Sequence, residues 1–182
     1  MRYLVAVIFC LTTWSGYAQK APVENGVYVQ DAGVWTKLYL ASAAGTKSSG
    51  IAKSAFSYGI AKAKVLVMYR DPEAPVKTSG PRPTFEIVGP TETAPRDIVI
   101  VRLQKKKDHR ELQVAKVGAF SGYAAEYPPD LTTAVEVKQE GPDMILTPSA
   151  DLKPGEYILF AGTPTAMPTG YGGYDFSIGG VK

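Results

Sequence analysis

Fourteen prolines and 18 glycines cut this 182-residue chain into short runs. Between them, apolar residues do not recur at the spacing of a helix face. β-Branched and aromatic residues gather instead in short stretches bounded by turn residues. Proline cannot donate to a strand ladder and glycine has little to pack, so both fall between strands. The expected class is mostly β, with many short antiparallel strands joined by turns.

The runs can be placed one by one. Residues 26–30 (GVYVQ) and 34–40 (VWTKLYL), separated by Asp31, Ala32 and Gly33, read as an N-terminal β-hairpin with a three-residue bulged turn. Trp35 is expected to anchor that hairpin in the core. Residues 41–61 are rich in Ala, Ser and Gly and show neither period. They read as a loop, followed by a short strand or helical turn around 55–60. Residues 64–70 (KVLVMYR) form a strand, and the four-proline stretch 71–83 is a long connection. It is the one internal boundary, setting off a hairpin module at 19–70. Further strands are expected at 84–88, 96–104, 111–115, 133–139, 144–147, 156–161 and 174–178. The unbroken IVIV of residues 98–101 marks a central strand covered on both faces. The charged run 105–110 (KKKDHR) is the turn of a second hairpin.

Residues 1–18 (MRYLVAVIFCLTTWSGYA) carry one charge, Arg2, then an apolar stretch and small residues at Gly16 and Ala18. That order is the pattern of a cleaved secretory signal peptide. Thr12, Thr13, Ser15 and Gly16 interrupt the apolar stretch well before the roughly 20 residues needed to span a bilayer, so no transmembrane segment is expected after cleavage. The junction at Ala18 and Gln19 resembles signal ends in Gram-negative bacteria of the Bacteroidetes type. Removing residues 1–18 leaves 164, enough for a single domain with its own core. It also removes the only cysteine, Cys10, and leaves 19 Lys and Arg against 17 Asp and Glu. Disulfides, thiol catalysis and cysteine metal sites drop out, and the net charge of +2 favours no particular partner.

The segment DLKPGEY at residues 151–157, running into the apolar ILF of 158–160, speaks to topology. It resembles the tyrosine corner of immunoglobulin-like and fibronectin-type sandwiches. There a leucine plugs the core, a Pro-Gly pair shapes the turn, and a tyrosine hydroxyl latches upstream backbone. The resemblance implies an immunoglobulin-like antiparallel β-sandwich with Leu152 as plug and Tyr157 as latch. The chain also resembles exported bacterial proteins of unassigned function that share the GVYV hairpin, the charged hairpin and the LKPGEY strand pair. It carries no activity with it.

Chemistry is sparse. A Ser-His-Asp hydrolase needs an imidazole, and the only one, His109, sits between Asp108 and Arg110 in the charged turn, where a solvated role is expected. One histidine and no cysteine rule against zinc. The acids Asp71 and Glu73, Asp108 and Glu111, and Glu140 and Asp143 are too dispersed for a calcium loop. GTKS at 45–48 lacks the earlier glycine of a phosphate loop, and GYGG at 170–173 is no dinucleotide fingerprint. The basic residues Lys105, Lys106, Lys107 and Arg110 read as a solubilising hairpin tip, and no nucleic-acid partner is expected. No catalytic, cofactor or metal residue is assigned and no cofactor is expected. The leading reading is an exported, non-enzymatic envelope or periplasmic domain that presents loops or an edge strand to a protein or the cell-envelope surface. Its candidate contacts are the 71–83 connection and the 163–174 loop with Tyr171 and Tyr174. The alternative is a small-ligand carrier or hydrolase whose site is assembled from dispersed residues.

Overall fold

The computed structural model describes residues 22–41, 43–49, 63–118, 122–125, 127–161 and 172–179. These residues form fifteen strands: β1 Gly26–Asp31, β2 Val34–Leu38, β3 Leu40–Ala41, β4 Ala43–Ser49, β5 Ala63–Arg70, β6 Lys77–Thr78, β7 Thr84–Val88, β8 Ile98–Arg102, β9 Gln104–Lys105, β10 His109–Gly118, β11 Gly122–Ala125, β12 Thr132–Glu140, β13 Asp143–Pro148, β14 Gly155–Ala161 and β15 Gly173–Ile178. Two 3₁₀ turns, Pro95–Asp97 and Pro129–Leu131, are the only helical elements among the described residues. The mostly-β class expected from the sequence is the class observed.

Ten strands share one sheet in the order β2-β1-β7-β13-β12-β8-β14-β15-β3, with β6 alongside β15. The N-terminal hairpin extends this sheet by pairing β1 with β7. Two halves face each other across a common core, and β12 links them. Its first residues (Thr132 to Ala134) pair with β8, and the rest, from Val135, pair with β13. At the other side the terminal strands β2 and β3 are separated in sequence by Tyr39 alone. The expected sandwich is thereby modified: strand-switching at these two corners makes the sheet a nearly closed barrel. Inside lie Val27, Val29, Leu38, Phe85, Ile87, Ile98, Ile100, Met144, Leu146, Leu152, Tyr157, Leu159, Phe176 and Ile178.

A second sheet, β11-β10-β5-β4 with β9 on β10, packs against the outside of the barrel. Strands β8 and β14 serve both layers because side chains alternate across a strand. Ile98, Ile100, Tyr157 and Leu159 face the barrel interior, while Val101, Ile158 and Phe160 meet Val67, Tyr69, Leu112, Val114 and Tyr127 between the layers. Phe160 stacks on Tyr127 with ring centroids 5.1 Å apart. The covered central strand read from residues 98–101 is β8.

The corner has the geometry its sequence implies. Tyr157 is buried and its hydroxyl donates to the Lys153 carbonyl at 2.6 Å, and Leu152 sits in the barrel core. Arg102 ties the turn down by donating to the Pro154 carbonyl at 2.7 Å.

Three local readings change. The first hairpin closes with a two-residue loop, since Asp31 pairs directly with Val34. Ala32 (φ 48°) and Gly33 (φ 83°) are both left-handed, a primed turn that matches the twist of its strands. Trp35 is half-buried, not a core anchor: Val27 pairs with Leu38 facing inward, so Trp35 points to the opposite face. Residues 43–49 are a strand, not a loop, held by pairing with β5 from Ala43↔Tyr69 to Ser49↔Lys64. The signal segment 1–18, the short element expected around 55–60 and the 163–171 part of the aromatic loop lie outside the described residues.

Candidate functional site

The apolar layer between barrel and second sheet gives way at one end to charge. Glu156 on β14 and Asp175 on β15 point outward from the barrel, and Arg110 on β10 points inward from the second sheet. All three are buried. Arg110 Nη1 lies 2.8 Å from Asp175 Oδ2 and 3.9 Å from Glu156 Oε2. The same guanidinium donates through Nε to the Asp71 carbonyl at 3.0 Å and through Nη2 to the Arg70 carbonyl at 3.1 Å. Those bonds clamp the turn after β5, where Asp71 is held at φ 64°. Glu156 accepts the Ala74 amide at 2.7 Å. Burial pushes its carboxyl above the usual range, and the Ala74 amide and Arg110 only partly offset this.

This ionic triad borders an open crevice of about 500 Å³ lined by residues from β3, β5, the 71–75 turn, Arg110 and Asp175. The crevice sits at a notch in the barrel edge. β3 pairs with β15 at Gly173 and Tyr174, and β6 pairs at Ser177 and Ile178, leaving Asp175 between them. Tyr39 and Leu40 stand on the rim, 66% and 59% exposed, although both are large and apolar. Glu73, also on the rim, is held by Lys105 at 2.7 Å and Lys77 at 2.6 Å. These bonds lower its carboxyl to about 2.

A second charged cluster surrounds His109, which is not merely solvated. Its ring bridges Asp108 Oδ1 (2.6 Å from Nδ1) and Glu111 Oε1 (2.8 Å from Nε2), and the side chain is only 26% exposed. Lys47 of β4 also bonds Glu111, and Lys106 Nζ lies 3.6 Å from its other oxygen. The Asp108 and Glu111 hydrogen bonds raise the imidazole above its ordinary value. Burial pushes Glu111 up, but Lys47, His109 and Lys106 bring it net below the carboxylate range.

Of the acid pairs, the structure places Glu140 and Asp143 near Glu86, a buried carboxyl raised first by burial and then by those two neighbours. Asp143 Oδ1 accepts the Gly89 amide at 2.7 Å. Asp71 and Glu73 both line the crevice, with Asp175 added from β15. Lys105 and Lys106 of the basic tip are engaged with Glu73 and Glu111. Among the described residues no group of three or more His, Cys, Asp or Glu is arranged to hold a metal ion. Tyr174 is half-buried against the barrel core.

Arg110, read from the sequence as part of a solubilising hairpin tip, is instead buried between the layers because Asp175 and the 70–71 carbonyls take up its charge and donors. Glu156, Asp175, Tyr39 and Leu40 were not singled out as site residues. A signal existed: Glu156 in GEYILFA and Asp175 in GYDFSI interrupt strands whose other residues are nearly all buried. A charge in such a strand needs a partner from the facing layer.

The fold and crevice together define a two-layer, mostly-β protein with a small open recess at its layer boundary. No family model, curated protein or solved structure matches the chain. No helix among the described residues is long and apolar enough to cross a membrane.

Proposed function

We propose that this chain is an exported, non-enzymatic domain of the bacterial envelope or periplasm that holds a partner protein at the crevice. Export rests on the signal pattern of residues 1–18, and an immunoglobulin-like ancestry rests on the tyrosine corner at 151–157. The observation that carries the binding role is the exposure of Tyr39 and Leu40 directly over a crevice with a charged border. Aromatic and aliphatic anchors beside a recess are what a protein interface uses to gain affinity. Catalysis is disfavoured by the lining itself. Among the described residues it holds no Ser, Thr, Cys or His, its Asp175 is paired with Arg110, and Glu73 is paired with two lysines.

A photo-crosslinkable residue at position 39, in protein expressed in its native envelope, tests this reading. The expected outcome is a discrete crosslinked adduct that is absent when the probe is moved to Lys107, and that Leu40→Ser reduces several-fold. Equal crosslinking at both positions, or none at position 39, sinks the proposal. A small-ligand carrier is the second reading, favoured by a crevice volume within the roughly 300–1,000 Å³ range of ligand sites. A saturable ligand that protects position 39 from crosslinking would favour it over a protein partner.

A further inference from the structure

The β9–β10 hairpin turns through Lys107 and Asp108, and the Lys106 amide donates to the His109 carbonyl at 2.8 Å. His109 then contacts two carboxylates at once, at 2.6 and 2.8 Å. An ionised carboxylate only accepts hydrogen bonds, and a neutral imidazole has one donor nitrogen. Two such contacts from a single ring therefore require both nitrogens to carry hydrogen, so the geometry is that of an imidazolium.

We infer that His109 is a proton-operated latch: protonated, it fastens the hairpin tip to β10, and on losing its proton it releases the tip at Asp108. The direction of release follows from the surroundings. Glu111 is buried, with a side chain 4% exposed, and Lys47 from β4 and Lys106 from the tip also bond or face it. Asp108, with a side chain 83% exposed, can exchange His109 for water. The neutral ring keeps its hydrogen on Nε2 for Glu111 and turns a lone pair toward Asp108, which repels it. Among the described residues, Arg70 adds a further charge on this face, in register with His109 across β5. A cation there works against protonation of the ring, so the two carboxylates act against it in holding the proton.

The latch reaches further. Lys105, at the base of the tip, holds Glu73 on the crevice rim. Freeing the tip loosens that bond and opens the rim, a consequence that alone rests on the crevice being the binding site. The latch itself is a property of the unliganded protein.

As His109 is the only histidine in the chain, its NMR titration is unambiguous. Both ring nitrogens are expected to show imidazolium ¹⁵N shifts at pH 6, with a midpoint above the ordinary value of about 6.5. The Lys106 amide, after correction for intrinsic exchange, is expected to lose protection several-fold as pH rises through that midpoint. Asp108→Asn should lower the midpoint, and His109→Asn should remove the pH dependence at Lys106. Should His109→Asn fail to fold, the wild-type and Asp108→Asn titrations decide by themselves. A wild-type midpoint at or below 6.5, or Lys106 protection that is flat across the titration, overturns the latch. If the latch holds but crosslinking at position 39 is unchanged between pH 6 and 8.5, only the link to the crevice fails.

Discussion

Single hydroxyls and glycines set the geometry of the chain reversals. Tyr157 reaches back four residues to the Lys153 carbonyl, and Tyr28 makes the same reach to the Glu24 carbonyl at 3.0 Å. In both cases a buried ring fixes the start of a strand and its hydroxyl satisfies backbone that the strand ladder does not reach. Tyr157 was legible because its Leu, Pro and Gly neighbours spell out the turn. Tyr28 lacks that signature and was visible only as a β-prone residue. Replacing Tyr157 with Phe keeps the ring against Phe176, 5.6 Å away, and deletes only the hydroxyl. The expected loss is about 1 kcal/mol, from a net hydrogen-bond contribution of that size. Urea denaturation would report it as a lower midpoint with an unchanged m-value, and a neutral result would reduce the corner to a plain turn.

At the scale of elements, legibility followed burial. Strands β8, β13, β14 and β15 could be read from their apolar runs because the core dictates those residues. β4 could not. Its AAGTKSS sequence has little strand preference, and its strand state comes from the exposed edge of β5 that it covers. The same logic exposes a constraint at the first residue of β15. A Cβ on Gly173 would lie 2.7 Å from Ile158 Cγ1 and 2.9 Å from Phe160 Cε1, both in the packed interlayer. Gly173 is therefore fixed by packing, a constraint that the GYGG sequence does not show. Gly173→Ala is expected to cost about 1–3 kcal/mol through overpacking. Because Phe160 stacks on Tyr127, a changed near-ultraviolet circular dichroism signal should accompany the lower melting temperature. Wild-type stability in the variant would show that β15 can shift away from β14 at no cost.

At the scale of the molecule, two layers are joined by an apolar seam that ends in the triad of Arg110, Glu156 and Asp175. The sequence could give the charges but not their meeting, because the three come from strands 46 and 65 residues from Arg110 in the chain. Pairing across layers depends on topology, which alternation within a strand does not encode. Arg110 neutralises two buried carboxylates and clamps the 70–71 turn, so Arg110→Met should be strongly destabilising, by about 3–5 kcal/mol, as expected when one partner of a buried pair is removed. The deficit should also depend on pH. Burial already holds the Glu156 carboxyl above its ordinary range, and Arg110 pulls it down. Without the guanidinium it rises further, so the folded variant binds a proton that the unfolded chain has released. Stability then increases as pH falls from the raised value toward the ordinary carboxylate value of about 4.3. The gap between Arg110→Met and wild type is thus expected to be widest near pH 8 and to narrow toward pH 5, as measured by chemical denaturation at both. Adding Glu156→Gln and Asp175→Asn to Arg110→Met should recover much of the loss and flatten the slope. A gap that is constant from pH 5 to 8 would mean that Arg110 acts through packing and the turn clamp, and not by neutralising buried charge.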